Sequence, residues 1–167
     1  MPSLRILGVD PGSRMTGVGI IEVNGDRVTP VYYDAIKAGT GEFNERLGII
    51  FSGLQELIRE HKPDQAAIET VFVAHNAASA IKLGQARGAA VCAAISCDLP
   101  VSEYSPRSIK QAIVGRGGAD KSQVQHMVGL LLGINGPIQN DAADALAVAL
   151  CHQHTSHTLE RMAMMQG

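Results

Sequence analysis

The chain has 167 residues, 46% of them apolar and 18% charged, with a formal net charge of −2. That length and balance fit one domain with a real core and exclude a disordered or fibrous chain. No apolar run is long enough for a membrane span, and no charged and apolar leader precedes the first strand, so a cytoplasmic protein is expected. Cys92, Cys97 and Cys151 form no Cys-x-x-Cys pair, and read as reduced, buried thiols.

In chain order, Leu4 to Asp10 reads as a buried strand, Pro11 to Arg14 as a turn, and Thr16 to Val23 as a second strand. Asn24-Gly25 between two β-prone runs is a strong hairpin signal. The third strand runs from Arg27 to about Lys37, with Pro30 marking an edge or irregular position. Asn44 to Lys62 has helical spacing through Leu47, Ile50, Phe51, Leu54, Leu57 and Ile58, and Pro63 stops it. Gln65 to Glu69 is a fourth strand, Asn76 to Cys97 an Ala/Gly-rich helix, and Val101 to Tyr104 a fifth strand. Ser105-Pro106 is an N-cap with proline at the first helical position. Helices over Pro106–Val114, Lys121–Leu132 and Asp141–His154 follow. Thr155 to Gly167 lacks a clear period and is expected to fray, as a tail on a single domain over 1–167.

Four acids stand at element ends. Asp10 closes the first strand, Glu69 closes the fourth, and Asp141 and Asp144 open the last helix. If the two strands are neighbours, Asp10 and Glu69 meet at the sheet rim, and residues three apart on a helix share one face. Such hard oxygen donors suit Mg²⁺ or Mn²⁺. Each acid has a plainer explanation. Asp-Pro-Gly is a common turn, Glu69 can end a strand in solvent, and acids in a first helical turn answer the helix dipole, here with Asn140 as N-cap.

The negative total speaks mildly against nucleic acid, yet two divalent ions on four acids would bring −2 to +2. The cations also cluster, with Arg107, Lys110, Arg116 and Lys121 in one stretch against Asp120. Beside an acidic metal site that stretch forms a plausible phosphate track. Cys151, His152, His154 and His157 match no standard zinc spacing. Phe72 reads as core or, at a loop tip, as a platform for an unpaired base. Ala80, Gly84 and Gly88, four apart, allow close approach either to the chain's own sheet or to a second copy.

Three strands, helix, strand, helix, strand and terminal helices resemble the ribonuclease H and retroviral integrase superfamily. The expected fold is therefore α/β and ribonuclease H-like, with a five-stranded mixed sheet, its first three strands antiparallel, flanked by helices. Gly8-Val9-Asp10-Pro11-Gly12-Ser13-Arg14-x-Thr16-Gly17, Ile68-Glu69-x-Val71-Phe72, Lys82 to Gly88, Lys121-Ser122-Gln123-Val124 and Asp141 to Ala147 together resemble the RuvC family of bacterial Holliday junction resolvases. The resemblance implies a homodimeric, Mg²⁺-dependent endonuclease that makes paired symmetric nicks across a four-way DNA junction, with RuvA and RuvB as branch-migration partners. It implies Asp10, Glu69, Asp141 and Asp144 as catalytic metal ligands, Lys110 and Lys121 as active-site lysines, and Phe72 as an aromatic that meets bases at the crossover. It assigns no role to His75.

Hydrolysing a phosphodiester means activating water, stabilising a poor leaving group and offsetting phosphate charge, which two divalent ions roughly 3.5–4 Å apart can do together. Asp10 would bridge them. Two other classes compete: a phosphotransferase of the actin-like type, whose phosphate loop shares Asp-x-Gly-Ser, and a module that binds junctions without cutting them.

Overall fold

The computed structural model describes residues 2–70 and 76–167. Phe72 and His75 lie outside the described residues. Five strands, β1 (Leu4–Asp10), β2 (Met15–Asn24), β3 (Arg27–Lys37), β4 (Gln65–Glu69) and β5 (Val101–Tyr104), form one sheet in the order β3-β2-β1-β4-β5. β1, β2 and β3 pair antiparallel, and β4 and β5 join parallel to β1. The sheet is therefore mixed and five-stranded with its first three strands antiparallel, as expected. β3 is an edge strand, and its register with β2 slips between Ile20 and Ile21, where Pro30 pairs with Ile21. Proline lacks the N–H a ladder needs, so the irregularity falls where the ring does.

Helices cover both faces. α1 (Phe43–His61) and α2 (Ala77–Ser96) bury Ile50, Leu54, Ile58, Ala86, Ala90 and Ala93 against Leu7, Val9, Val18, Ile20 and Ile68. On the other face α3 (Pro106–Val114), α4 (Lys121–Leu132) and α5 (Asn140–Gln166) enclose Ile6, Ile21 and Ala67. Alternate residues of β1 thus serve opposite cores, as the pleat requires. In β4, Ala66, Ala67 and Ile68 are all buried because both faces of that central strand are covered.

α5 is the middle layer between the sheet and α3 and α4. From Ala142 to His152 every residue except Asp144 is buried, so the segment is apolar all round rather than striped. It lies unusually close to β1 and β2. A Cβ on Gly8 would collide with the carbonyl oxygen of Ala145, and one on Gly17 with that of Asp141. These glycines are the surface on which the helix rests.

Several boundaries move by one residue at caps. Asn76 caps α2 by accepting from the Ser79 amide, and Lys62 ends α1 in the left-handed conformation. The cap of α5 is Gln139 rather than Asn140: its side-chain oxygen accepts from the Ala142 amide at 2.8 Å. The larger departure is at the C-terminus, where α5 continues past His154 to Gln166 instead of fraying from Thr155. Leu159 to Met165 are good helix formers, and a helix already nucleated in the core propagates cheaply. Of the cysteines only Cys151 is buried. Cys97 is half-buried and Cys92 exposed on α2, contrary to the expectation of three buried thiols.

Candidate active site

β1 and β4 are neighbours with Val9 opposite Ile68, so Asp10 and Glu69 leave adjacent strands at the same level. Across from Asp10 in β2 stands Gly17, and its missing side chain lets the first turn of α5 settle beside the strand end. That contact carries Asp141 and Asp144 to the acids on the sheet. Lys110 comes from α3, started by the Ser105 cap, whose hydroxyl accepts from the Ser108 amide at 3.1 Å. Lys121 is the first residue of α4, fixed by a capping box between Asp120 and Gln123.

Asp10, Glu69, Asp144, Lys110 and Lys121 line one open cleft of about 270 Å³. Pro106, Ile109, Val124 and Ala147 form its apolar wall. Asp141 does not line the cleft. Its carboxylate accepts from Gln139 Nε2 at 2.7 Å, yet it is near enough to raise the pKa of Asp10 and Asp144. Arg107 and Arg116 also stay outside: Arg107 lies against Gly117, whose missing Cβ would stand 2.7 Å from Arg107 Cγ. Sequence reasoning missed the apolar wall and the roles of Asp120 and Gln139. Asp120-x-x-Gln123 was a legible capping signal, whereas glutamine is a weak one.

The electrostatics show a site short of positive charge. Burial, then the charge and hydrogen bond of Glu69, push Asp10 up to about 8. Burial also raises Glu69, although the Asp10 hydrogen bond, Lys121 and Lys110 oppose it. Two half-buried carboxylates this close cannot both ionise cheaply, which favours a proton on Asp10 shared with Glu69. Burial raises Asp144, with Lys121 opposing, and Lys121 Nζ stands 3.1 Å from Asp144 Oδ2. The Asp144 hydrogen bond raises Lys121 in return.

This donor set fits a hard divalent cation: four carboxylates from three elements, all oxygen, with too few nearby cations to neutralise them. Among the described residues, no three His, Cys, Asp or Glu side chains already stand in an arrangement that holds a metal ion. Asp144 is engaged by Lys121 and Asp141 by Gln139. Cys151 and His152 are spent on the core instead, while His154 and His157 are exposed. His152 Nε2 donates to Gln65 Oε1 at 2.7 Å, and Nδ1 accepts from the Tyr104 hydroxyl at 2.7 Å. Burial pushes the Cys151 thiol up to about 11.

A carboxyl whose pKa climbs from 3.8 to about 8 holds its proton more tightly in the folded chain. Without metal, that contribution to stability is complete below the unfolded value and is lost as pH rises through the folded one. Asp10→Asn removes the titration. The metal-free variant is expected to melt several degrees above wild type beyond about pH 8, the gain vanishing toward about pH 4. A gain independent of pH in thermal melts would show that Asp10 does not carry the shared proton.

A family model described as crossover junction endodeoxyribonuclease RuvC matches residues 6–152. A crossover junction endodeoxyribonuclease RuvC of Xanthomonas axonopodis pv. citri (strain 306) is 54% identical over 162 residues, spanning 96% of this chain and 93% of the relative. The namesake from Methylococcus capsulatus (strain ATCC 33009 / NCIMB 11132 / Bath) is 53% identical over 161 residues, spanning 96% and 97%. The structure of Thermus thermophilus RuvC in complex with a Holliday junction substrate has a TM-score of 0.87 at 32% identity, over 93% of this chain and 96% of that one. The fold is therefore the ribonuclease H-like one that the order of elements predicts.

Proposed function

Because the chain belongs to the RuvC family of crossover junction endodeoxyribonucleases, we propose that it resolves four-way DNA junctions by paired symmetric nicks with 5′-phosphate and 3′-hydroxyl ends. The observation that carries this reading is the cleft itself, where half-buried acids from β1, β4 and α5 face lysines from α3 and α4.

Asp10, Glu69, Asp141 and Asp144 would hold divalent cations, Mg²⁺ with Mn²⁺ as substitute and two per site, which when bound supply the Lewis acidity for water activation and leaving-group stabilisation. To do so Asp10 and Glu69 give up their shared proton, and Asp144 gives up part of its bond to Lys121. Lys121 is then free to hold a phosphate oxygen, and Lys110 offers a second positive charge on the same side of the cleft. The wall of Pro106, Ile109, Val124 and Ala147 excludes water from one flank, so these charges act in a weaker dielectric than bulk solvent. Arg107 and Arg116, outside the cleft, would hold flanking phosphates, and Phe72 would meet bases at the crossover.

A four-way junction offers two equivalent strands, and a two-fold dimer offers two equivalent acid clusters. α2 has the surface for it. Among the described residues a Cβ on Gly84 or Gly88 would meet nothing within 4 Å, which leaves room on this stripe for a second copy. Ile81 and Ile95, on the same helix, are 63% and 59% exposed. Gly84→Leu is expected to yield a monomer with unchanged thermal stability by analytical ultracentrifugation. A dimer of undiminished affinity would move the interface elsewhere. On this reading the protein works in the cytoplasm with the RuvA and RuvB branch-migration proteins, and among the described residues no helix is long and apolar enough to cross a membrane.

A synthetic junction incubated with Mg²⁺ and then with DNA ligase tests the chemistry of the ends. Nicked products that reseal without prior phosphorylation carry the proposed termini. Binding that persists without cleavage at every Mg²⁺ or Mn²⁺ concentration would instead identify a junction-binding module.

A further inference from the structure

Lys110 and Lys121 approach the acids from one face of the sheet, the face covered by α3, α4 and α5. The opposite face also presents cations at the same end of the strands, and the cleft does not use them. Arg14 lies in the turn that follows Asp10, four residues along the chain, and is exposed. Its carbonyl accepts from the Ala38 amide at 2.8 Å, which ties the turn to the end of β3 beside Lys37. Arg46, in the first turns of α1, donates from Nη1 to the Ser13 carbonyl at 3.1 Å. Its guanidinium carbon stands 5.1 Å from the centre of the Phe43 ring, and Lys82 Nζ of α2 stands 5.9 Å from the same centre.

One aromatic ring thus holds two cations, and the β1–β2 turn adds a third. A ring quadrupole orients such charges without neutralising them. The ion pairs of the described residues use Arg5, His61, Arg87 and Lys121, so Arg14, Arg46 and Lys82 have no acidic partner among them. Glu42 and Glu45 flank the start of α1. The Glu45 carboxylate is turned toward Gly41, 3.3 Å from where a Cβ on that glycine would sit. In a chain with an overall negative charge, cations gathered around a ring and left unpaired make a local positive field that a polyanion can meet.

We propose that Arg14, Arg46 and Lys82 form a second phosphate-binding surface, on the α1–α2 side of the acids, that holds the sugar–phosphate backbone of the same DNA. The surface rests on the reading of the protein as a junction endonuclease and extends it. A strand crossing the sheet rim is gripped on both sides of the scissile position, by Lys110 and Lys121 on one face and by this trio on the other. Backbone grip of this kind sets position rather than sequence preference.

The test is the salt dependence of four-way junction binding, measured in EDTA so that no strand is cut. Arg14→Ala with Lys82→Ala should weaken binding on the order of 10- to 100-fold near physiological salt and flatten the slope of log K against log salt by about 2, one per lost phosphate contact. The control is Arg27→Ala with Arg59→Ala, which removes equal charge at the far end of the sheet and of α1 and should leave the slope unchanged. An unchanged slope in the first pair, or an equal change in both pairs, overturns the surface. If wild type cuts junctions while this happens, the endonuclease reading stands and only the second surface falls; if wild type neither binds nor cuts them, both fall. Should the double variant melt early, Lys82→Gln alone is expected to lower the slope by about 1, and no change there is equally fatal.

Discussion

Asp10→Asn, Glu69→Gln, Asp141→Asn and Asp144→Asn are each expected to cut junction cleavage by about 10³-fold or more while leaving junction binding intact. The magnitude follows from removing one charged ligand from a preorganised site, on the order of 4 kcal/mol of transition-state stabilisation. Binding survives because the phosphate contacts come from lysines and arginines, not from the acids. It should tighten slightly in Asp141→Asn and Asp144→Asn, where the amide removes a negative charge that repels DNA. Asp141 is the most exacting of the four. It points at Gln139 rather than into the cleft, so a full loss in Asp141→Asn shows that it turns inward when metal arrives. Full activity in any two of the four variants would sink the four-acid site.

The second large effect is on folding. Gly8→Val should destabilise the protein by about 3 kcal/mol or more, because the new side chain must displace the backbone of α5 rather than a flexible neighbour. The Ala149 amide nitrogen would stand 2.8 Å from the added Cβ, and the Ala145 carbonyl closer still. Moving α5 also withdraws Asp141 and Asp144 from Asp10, so residual cleavage should fall further than the folded fraction alone explains. Gly25→Ala offers a contrast. A Cβ there has open space, but its φ of 62° leaves a modest backbone penalty. If denaturant melts give Gly8→Val wild-type stability, the close seat of α5 on the sheet is wrong.

Most of the architecture was legible because its signals are local. β1, β3, β4, β5, α3 and α4 fall on the residues expected, since Asn24-Gly25, Pro63 and Ser105-Pro106 each impose a specific backbone geometry. The pairing of β1 with β4, which unites Asp10 and Glu69, stood in the sequence only as a condition, because two apolar runs that each end in an acid do not say that they are neighbours. The reading failed only beyond His154. The core half of α5 is the helix expected over Asp141–His154, whereas the half beyond is largely exposed, so it shows no repeat that marks a helix. Cysteine exposure was misjudged for a similar reason. Cys92 sits on the outward side of α2, in line with Gly84 and Gly88 rather than with Ala86 and Ala90. Contacts that span the fold, such as His152 with Gln65 and with Tyr104, leave no trace in spacing.

The central claim is that two copies of the chain each bring one acid cluster to one DNA junction. The most direct test is a mobile four-way junction with its four strands labelled in turn, incubated with the wild-type protein and Mg²⁺, and the cuts mapped to the nucleotide. Nicks are expected in two opposed strands at symmetrically related positions, absent in EDTA and absent with Asp10→Asn. Cuts confined to one strand, unpaired in position, or equally frequent in linear duplex of the same sequence would contradict the claim.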